Sequence, residues 1–262
     1  MKNFTDRTVA ITGASSGIGR ACAEAFAAEG ARLVLCARRG GRLRDLAASL
    51  EKRFGTPSHL MELDVRDRKA VDLAFGSLSG PFAAIDVLVN NAGLGRGLDK
   101  LHEGDPEEWD EMIDTNVKGL LYVSRAVVPG MVARGRGHVI NIGSVAGREV
   151  YPGGNVYCAS KFAVKALTRA LKVDLLGTPI RVTTVDPGMV ETDFSVVRFR
   201  GDEARAAKVY ENIEALTAAD IADAVVWTAS RPPRVNVSEM VIMPTAQATA
   251  MLNHRGPFKS GT

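Results

Sequence analysis

The sequence has few cysteines, no long apolar run and almost no excess charge. Its three cysteines, Cys22, Cys36 and Cys158, are too few for a disulfide framework in 262 residues, which favours a reducing compartment. No apolar run reaches the roughly 18 residues of a membrane span, and the first residues lack the apolar core of a signal peptide. The formal net charge of +3 argues against a dedicated nucleic-acid-binding protein. We therefore expect a cytoplasmic protein with no membrane or nucleic-acid partner.

Short β-branched apolar runs alternate with longer helical patterns along the chain. Because a parallel crossover needs a dozen or more residues, strands that alternate with helices pair in parallel. The pattern predicts the α/β class: one doubly wound Rossmann-type domain over residues 1–262, with a seven-stranded parallel sheet and helices on both faces. The predicted strands are Thr8–Thr12, Arg32–Ala37, Leu60–Val65, Val87–Asn90, Val139–Ile142, Arg181–Val185 and Met240–Met243.

Two predicted helices carry more apolar surface than a sheet would cover. One begins with the cap Asp105 and the first-turn Pro106 and extends to about residue 133. The other extends from about residue 155 to 176, and its apolar residues fall on more than one face, although a helix against a sheet needs only one apolar stripe. The surplus predicts a subunit interface; coverage by another part of the same chain is the alternative.

Residues 188–203 interrupt the alternation between a strand and a helix. The segment mixes Phe194 and Phe199 with the charged residues Arg198, Arg200 and Asp202. An insertion at the carboxyl end of a strand is where a lid would lie, so we expect a lid-like segment over about 188–214. The tail from 245 to 262 has no clear period.

A glycine-rich turn joins the first predicted strand to the first predicted helix. The segment reads Thr12-Gly13-Ala14-Ser15-Ser16-Gly17-Ile18-Gly19. Glycines let the backbone approach a pyrophosphate, and the helix N-terminus offers unsatisfied N–H groups and a positive dipole end. The turn therefore predicts a dinucleotide site, with a tight structural turn as the alternative.

The end of the second predicted strand favours NADP over NAD. An NAD site usually places an acid here to hold the ribose hydroxyls, whereas this position is Ala37. Arg38 and Arg39 follow, and two guanidinium groups suit a 2′-phosphate; a pair of solvated arginines is the alternative. Asp64, after the third strand, could accept from an adenine amino group or form a plain turn. The small residues of Asn90-Asn91-Ala92-Gly93 would let a ligand pass close.

Tyr157 and Lys161 are the most specific catalytic signal, because residues four apart share one face of a helix. An unperturbed tyrosine has a pKa near ~10, and a nearby ammonium would lower that pKa. Such a phenol could exchange a proton with a hydroxyl or carbonyl near neutral pH. Ser144, at the end of the fifth strand, could hydrogen-bond the same oxygen. Asn116, within a helix, could hold a water that feeds protons to Lys161.

With these residues in this order, the chain resembles the short-chain dehydrogenase/reductase family in its single-domain, tyrosine-dependent branch. The resemblance covers almost the whole chain, including Asp186-Pro187-Gly188 and Thr192. It implies that Asn116, Ser144, Tyr157 and Lys161 form the catalytic set, and that the cofactor is NADP. The predicted cofactor-binding residues are Gly13, Ser15, Ser16, Gly17, Ile18, Gly19, Arg38, Arg39, Asp64, Val65, Asn91, Ala92, Gly93, Tyr157, Lys161, Pro187, Gly188, Val190 and Thr192.

Within that family the chain is similar to the NADP-dependent 3-hydroxy acid dehydrogenases. The stretches that carry the resemblance are Asn90–Leu94, Asn141–Ser144, Gly153–Tyr157 and Phe194–Asp202. The resemblance implies hydride transfer between NADP(H) and a small 3-hydroxy acid or semialdehyde, of the serine, L-allo-threonine and 3-hydroxyisobutyrate class. It also implies a homotetramer. We predict no metal site.

A carboxylate in a closed site needs a paired cation or several hydrogen bonds, because its burial is otherwise too costly. Arg96, Arg148 and Arg198 follow predicted strands; we favour Arg198, then Arg148, as substrate-binding residues alongside Ser144. Two other functions stay open. One is the reduction of bulkier ketones or aldehydes, which shares several of the same motifs. The other is a non-enzymatic NADPH-binding regulator, which would not need the catalytic set intact.

Overall fold

The computed structural model describes residues 3–258, so the first two residues and the last four residues of the predicted tail lie outside the described part. Strands and α-helices alternate along the chain, with 3₁₀ turns at Gly80–Phe82 and Val145–Gly147 and a π turn at Asp114–Gly119. In chain order the elements are β1 (Thr8–Thr12), α1 (Gly17–Ala28), β2 (Arg32–Ala37), α2 (Gly40–Phe54), β3 (Ser58–Glu62), α3 (Arg68–Gly76), β4 (Ile85–Asn90), α4 (Pro106–Ile113), α5 (Leu120–Arg134), β5 (Gly137–Ile142), α6 (Asn155–Asp174), β6 (Ile180–Pro187), β7 (Val190–Glu191), α7 (Phe194–Arg198), α8 (Glu203–Tyr210), β8 (Leu216–Thr217), α9 (Ala218–Ala229) and β9 (Glu239–Ile242).

Seven strands form one parallel sheet in the order β3-β2-β1-β4-β5-β6-β9. The predicted doubly wound α/β fold is therefore confirmed. The winding direction reverses between β1 and β4, and in open α/β sheets ligands bind in the crevice outside the carboxyl ends of the strands at such a point. The fold thus places the end of β1 and the end of β4 at the mouth of one crevice.

Side chains alternate between the two faces of the sheet, because successive residues of a strand point in opposite directions. On β1, Val9 and Ile11 join the core that packs against α1, α2 and α9, whereas Ala10 joins the core against α3, α5 and α6. Both cores are continuous from β2 to β5. Helices on both faces therefore hold the strand ends in fixed positions, and the loops at those ends carry the site.

The helix ends follow sequence signals that local chemistry explains. Asp105 caps α4 by accepting from the backbone N–H of Glu107, and Pro106 occupies the first turn as predicted. Thr217 and Asp220 form a reciprocal capping box at the start of α9. Gly55 ends α2 in the left-handed conformation, which glycine adopts without a steric penalty.

Two predicted elements differ from the structure by more than two residues, whereas the bounds of the other predicted strands lie within two residues of the observed ones. The third strand is Ser58–Glu62 rather than 60–65, because its only ladder is with β2, which ends at Ala37 opposite Glu62. The predicted helix over 105–133 is not a continuous α-helix, since the π turn Asp114–Gly119 separates α4 from α5.

The predicted lid-like segment contains short elements that the sequence pattern did not indicate. β7 and β8 are two residues each and pair in parallel, with Val190 opposite Leu216. Between them, α7 and α8 cover the carboxyl end of the main sheet. Strands this short carry no period-2 pattern, so they could not be predicted.

Large apolar side chains remain exposed on the two helices with surplus apolar residues. On α5, Leu121 and Val132 are exposed; on and just after α6, Phe162, Val173 and Leu176 are exposed, the last two by 71% and 88%. Other parts of residues 3–258 therefore do not cover this surface. No helix in the described range is both long and apolar enough to cross a membrane.

Candidate active site

A cavity of about 630 Å³ lies along the carboxyl ends of the strands. It extends from the glycine turn after β1, past the ends of β2, β3 and β4, to the segment after β6 and to the tail. Of the predicted cofactor-binding residues, all but Gly19 line it. Gly19 lies beneath the turn, where an added Cβ would stand 2.4 Å from the carbonyl oxygen of Gly13.

The glycine turn needs its glycines for two separate reasons. Gly13 and Gly17 have φ angles of +67° and +51°, which L side chains rarely adopt. A Cβ on Gly13 would also stand 2.9 Å from Nδ2 of Asn91, which donates to the carbonyl of Thr12 at 3.0 Å. Ser16 begins α1 with no side-chain cap, so first-turn N–H groups remain for an anionic ligand.

Cations gather beside this turn, where the 2′-phosphate of NADP would lie. Arg39 donates from Nη2 to the hydroxyls of Ser15 and Ser16 at 3.0 and 2.7 Å. Burial and the neighbouring Arg42 lower the pKa of Arg39, as expected for crowded cations. Arg38 also lines the cavity, and Ala37 is buried. The residues present therefore fit NADP, with positive charge and no acid at the end of β2.

Asp64 lies in the cavity but is already bound to a neighbour. Its carboxylate accepts from Nε and Nη2 of Arg66, with distances down to 2.6 Å. Burial opposes ionisation of Asp64, but the hydrogen bonds and charge of Arg66 outweigh it and hold the pKa below its usual value. The carboxylate is therefore ionised at neutral pH and retains acceptor capacity for an amino group.

Ser144, Tyr157 and Lys161 meet at the middle of the cavity. Tyr157 and Lys161 lie one turn apart on α6, and the Ser144 side chain is near enough to lower the pKa of the Tyr157 phenol. Ser144 follows β5 and accepts from the backbone N–H of Ala146 at 3.1 Å, which fixes its rotamer. Lys161 Nζ donates to the carbonyl of Ile142 at 2.9 Å. The Tyr157 phenol, the Ser144 hydroxyl and the Lys161 ammonium group thus lie close together.

The expected influence of Lys161 on Tyr157 does not hold in this structure. Burial raises the pKa of Tyr157 to about 12, opposed by the positive charge of Arg198 and the hydrogen bond with Ser144. Lys161 Nζ lies 6.0 Å from the centroid of the Tyr157 ring, and burial lowers its own pKa to about 8. The cation that favours the phenolate here is Arg198.

Asn116 lies behind the cavity in the π turn and is buried. Its Oδ1 accepts from the N–H of Leu94 at 2.8 Å, and its Nδ2 donates to the carbonyl of Leu94 and to Ser160. A Cβ on Gly93 would be 3.1 Å from Oδ1 and 3.7 Å from Lys161 Nζ. The carboxamide therefore joins the β4 loop to α6.

The segment after β6 lines the cavity next to the predicted catalytic residues. Gly188 donates its N–H to the carbonyl of Ile242 at 2.7 Å, and a Cβ there would be 2.2 Å from Oε1 of Gln247. Thr192 faces Gly17 across the cavity, 3.4 Å from the position of an added Cβ. Pro187, Gly188, Val190 and Thr192 all line the cavity, and Thr192 brings this segment against the glycine turn.

Arg198, on α7, is the one predicted substrate-binding arginine that lines the cavity. Its guanidinium carbon lies 4.8 Å from the ring centroid of Tyr157 and 5.0 Å from that of Phe194. Its Nε is buried and has no hydrogen-bond partner among residues 3–258. A buried donor without a partner is costly, and an anion would satisfy it.

Arg148 and Arg96 do not serve the cavity as expected. Arg148 is paired with the buried Asp186 and with Glu239, and it does not line the cavity, so its guanidinium is occupied. Arg96 binds Glu111 at 2.6 Å and the carbonyl of Val197. Each of these two arginines is paired with a carboxylate from another part of the chain. The spacing of residues in the sequence could not indicate these pairings.

Several cavity residues escaped the sequence analysis. Tyr151 lines the cavity beside Arg198, and an added Cβ on Gly154 would be 2.5 Å from its ring. The Gly153-Gly154 pair was the available signal, because paired glycines mark a close approach. From the tail, Gln247, Ala250, Asn253 and Arg255 also line the cavity.

Comparison with known proteins agrees with this geometry. A model of the short chain dehydrogenase family matches residues 7–203. The chain is 47% identical over 249 residues to the NADP-dependent 3-hydroxy acid dehydrogenase YdfG of Salmonella typhi, covering 94% of this chain and 99% of that protein. It is 42% identical to the NADP-dependent 3-hydroxy acid dehydrogenase of Schizosaccharomyces pombe, covering 97% of this chain and 98% of that one.

The solved structures that resemble it include one with a cofactor. The closed form of serine dehydrogenase complexed with NADP+ superposes with a TM-score of 0.89 at 44% identity, covering 95% of this chain and 99% of that chain. Serine dehydrogenase from Escherichia coli superposes with a TM-score of 0.79 at 39% identity, covering 92% and 99%.

Proposed function

The chain belongs to the short chain dehydrogenase family, and on this premise we propose that it is an NADP-dependent dehydrogenase of small 3-hydroxy acids. The observation that carries the substrate class is the guanidinium of Arg198 beside Tyr157 in the cavity, which pairs with no carboxylate among the described residues. Relatives named as 3-hydroxy acid dehydrogenases and serine dehydrogenase support the same class.

Tyr157 is the general acid/base. In the oxidative direction its phenolate oxygen accepts the proton of the substrate hydroxyl; in the reductive direction it returns that proton to the carbonyl oxygen. Ser144 donates a hydrogen bond to the same substrate oxygen. Lys161, buried and bound to Ile142 O, would hold a ribose hydroxyl of the bound cofactor. NADP, when bound, accepts or supplies the hydride.

Substrate recognition rests on Arg198. A carboxylate that enters the cavity loses its hydration, and a guanidinium with a free N–H restores the lost interaction. Arg96, Arg148 and Arg200 are already paired with carboxylates, so they cannot do this without losing those partners. Arg198 thereby selects a substrate whose carboxylate is separated from its hydroxyl-bearing carbon by one further carbon.

The lid-like segment at about 188–214 encloses the bound substrate. The N–H of Gly97 donates to the carbonyl of Arg198 at 3.2 Å, and Arg200 binds Glu108 at 2.8 Å. These contacts join α7 and the residues after it to the loop after β4 and to α4, and they hold Arg198 beside Tyr157. Enclosure of the substrate also excludes water.

The protein works as a homotetramer in the cytoplasm. The exposed apolar side chains on α5 and α6 would be covered by symmetry-related copies of the same helices. The unpaired, buried Cys22, Cys36 and Cys158 favour a reducing compartment.

Initial rates with a matched substrate panel test the proposed function. We expect NADP+ reduction with serine, L-allo-threonine or 3-hydroxyisobutyrate, and far lower catalytic efficiency when the carboxylate is replaced by an amide. NAD+ serves as the control cofactor and should be used much less efficiently. Equal efficiency with acids and amides would contradict the substrate class and leave a general carbonyl reductase.

A further inference from the structure

Tyr151 has a hydroxyl that contacts Arg198 and no assigned role. Nη2 of Arg198 donates to the Tyr151 hydroxyl at 2.9 Å. The Tyr151 ring packs on Gly154, where no Cβ could be accommodated. The tyrosine is thus held in place by the backbone of the loop before α6, independently of the lid that carries Arg198.

Arg198 lies among three aromatic rings. Its guanidinium carbon is 4.8 Å from the centroid of Tyr157, 5.0 Å from that of Phe194 and 5.9 Å from that of Tyr151. A cation within about 6 Å of an aromatic ring face is attracted to it. An added Cβ on Gly95 would be 2.8 Å from Nε and Nη2, so the loop after β4 supports the guanidinium from below. The hydroxyl of Tyr151 adds a directional bond that sets the orientation of Nε.

We propose that Tyr151 is a positioning residue that holds Arg198 against Tyr157, so that one guanidinium serves both the substrate carboxylate and the catalytic phenol. The proposal rests on the proposed function, because it needs a substrate with a carboxylate. Arg198 uses Nη2 for Tyr151 and its face for the ring of Tyr157, which leaves its remaining N–H groups for the substrate.

Because Arg198 serves both the substrate carboxylate and the Tyr157 phenol, the charge of the substrate influences proton transfer at Tyr157. The polar and charged groups that face Tyr157 are Arg198 from α7, Tyr151 and Ser144 from the loop after β5, and Cys158 and Lys161 from α6. Arg198 favours the phenolate, and a carboxylate bound to Arg198 partly cancels that field. With NADP+, the acid limb of the kcat profile should therefore lie at higher pH for a 3-hydroxy acid than for its amide.

Tyr151→Phe tests the proposal, because it removes one oxygen and keeps the ring. We expect the KM of the 3-hydroxy acid to rise about tenfold, the scale of one hydrogen bond to a charged group, and the KM of its amide to change less than about twofold. In this variant, the acid limb of the kcat profile measured with the amide should move to higher pH, towards its position with the 3-hydroxy acid. Tyr210→Phe is the matched control, since its hydroxyl bonds Ser195 and Val190 in the same lid.

The outcomes separate this proposal from the proposed function. The proposal is overturned if Tyr151→Phe changes the KM of acid and amide alike and leaves the pH profile in place. It is also overturned if Tyr210→Phe has the effects expected of Tyr151→Phe. In that case Arg198→Ala would still raise the KM of the acid selectively and the proposed function would stand. If the wild type uses acid and amide equally, the proposed function fails, and this proposal fails with it.

Discussion

Nη2 of Arg39 donates to the hydroxyl of Ser16 across 2.7 Å, which joins the end of β2 to the first turn of α1. The two residues follow the neighbouring strands β2 and β1, and the winding of the sheet reverses on the other side of β1. Their contact places a guanidinium at the helix N-terminus, so the dipole and the side chain favour an anion at the same place. Arg38 lines the cavity next to it.

Arg39→Ala should therefore weaken NADPH binding selectively. Each charged hydrogen bond to a phosphate contributes roughly 1.5–3 kcal/mol, so the KM for NADPH should rise at least about tenfold while that for NADH changes little. Steady-state kinetics with both cofactors measure this. Lys52→Ala, which removes a cation near the end of α2, is the control. A parallel loss with NADH would show that Arg39 supports the turn rather than the phosphate.

Tyr157→Phe should reduce turnover by at least about 10²-fold, because a positioned acid/base contributes roughly 10²–10⁴-fold. NADPH binding, followed by nucleotide fluorescence, should stay close to that of the wild type, since the ring and its packing against Phe194 remain. A variant that retains more than about a tenth of the wild-type rate would reassign the proton transfer to another group.

His138 makes stability depend on pH at a site outside the cavity. Thr183 donates its hydroxyl proton to the carbonyl of Val237 at 2.6 Å, so His138 Nε2 must donate to Thr183 at 2.8 Å. Its Nδ1 is buried without a partner among the described residues. Burial, and then the charge of Arg181, lower the pKa of His138 from 6.5 to about 3. Below pH 6.5 the unfolded chain therefore binds a proton on His138 that the folded chain does not bind.

The stabilisation from neutral His138 is fully present above pH 6.5 and is lost as the pH falls towards 3. Between pH 7 and pH 5 the free energy of unfolding should fall by about 2 kcal/mol from this residue. Urea unfolding of the wild type and of His138→Gln at both values isolates the contribution, because every other titrating group is shared. An equal fall in both proteins would rule out His138 as its source.

The exposed apolar surface on α5 and α6 predicts assembly. Light scattering at micromolar concentration should give a mass near four times the 27.9 kDa of one chain. Val173→Asp or Phe162→Asp should shift the protein towards smaller species, because a buried unpaired carboxylate is costly. Glu51→Gln on α2 serves as a surface control. A mass of one chain for the wild type at that concentration would refute the interface.

The meeting of Ser144, Tyr157 and Lys161 in one cavity was predictable because each lies at a strand end or on a helix with its own local signal. The glycine turn, Tyr157 with Lys161, and Ser144 after β5 are local patterns that a parallel sheet brings to one edge. The cofactor preference was predictable too, because Arg39 follows directly on β2. The boundary of β3 was not, since it depends on where the neighbouring strand ends.

Pairings between residues far apart in the sequence determine which arginine is available to a ligand, and they could not be predicted. Arg148 and Arg198 look alike as loop arginines, yet Asp186 and Glu239 bind the first and no carboxylate in the described residues pairs with the second. The positive charge near Tyr157 also comes from a residue other than the predicted one, for the same reason. Spacing on α6 pointed to Lys161, whereas the lid carries Arg198 to the ring from 41 residues further along the chain.

Arg198→Ala gives the most direct test of the account, read as the ratio of kcat/KM for a 3-hydroxy acid to that for its amide with NADP+. In the wild type the ratio should be well above one. In the variant it should fall at least about tenfold, because the acid loses a charge-assisted hydrogen bond that the amide never made. Arg200→Ala, whose guanidinium is paired with Glu108, should leave the ratio in place. An Arg198→Ala ratio equal to that of the wild type would contradict carboxylate recognition at this site.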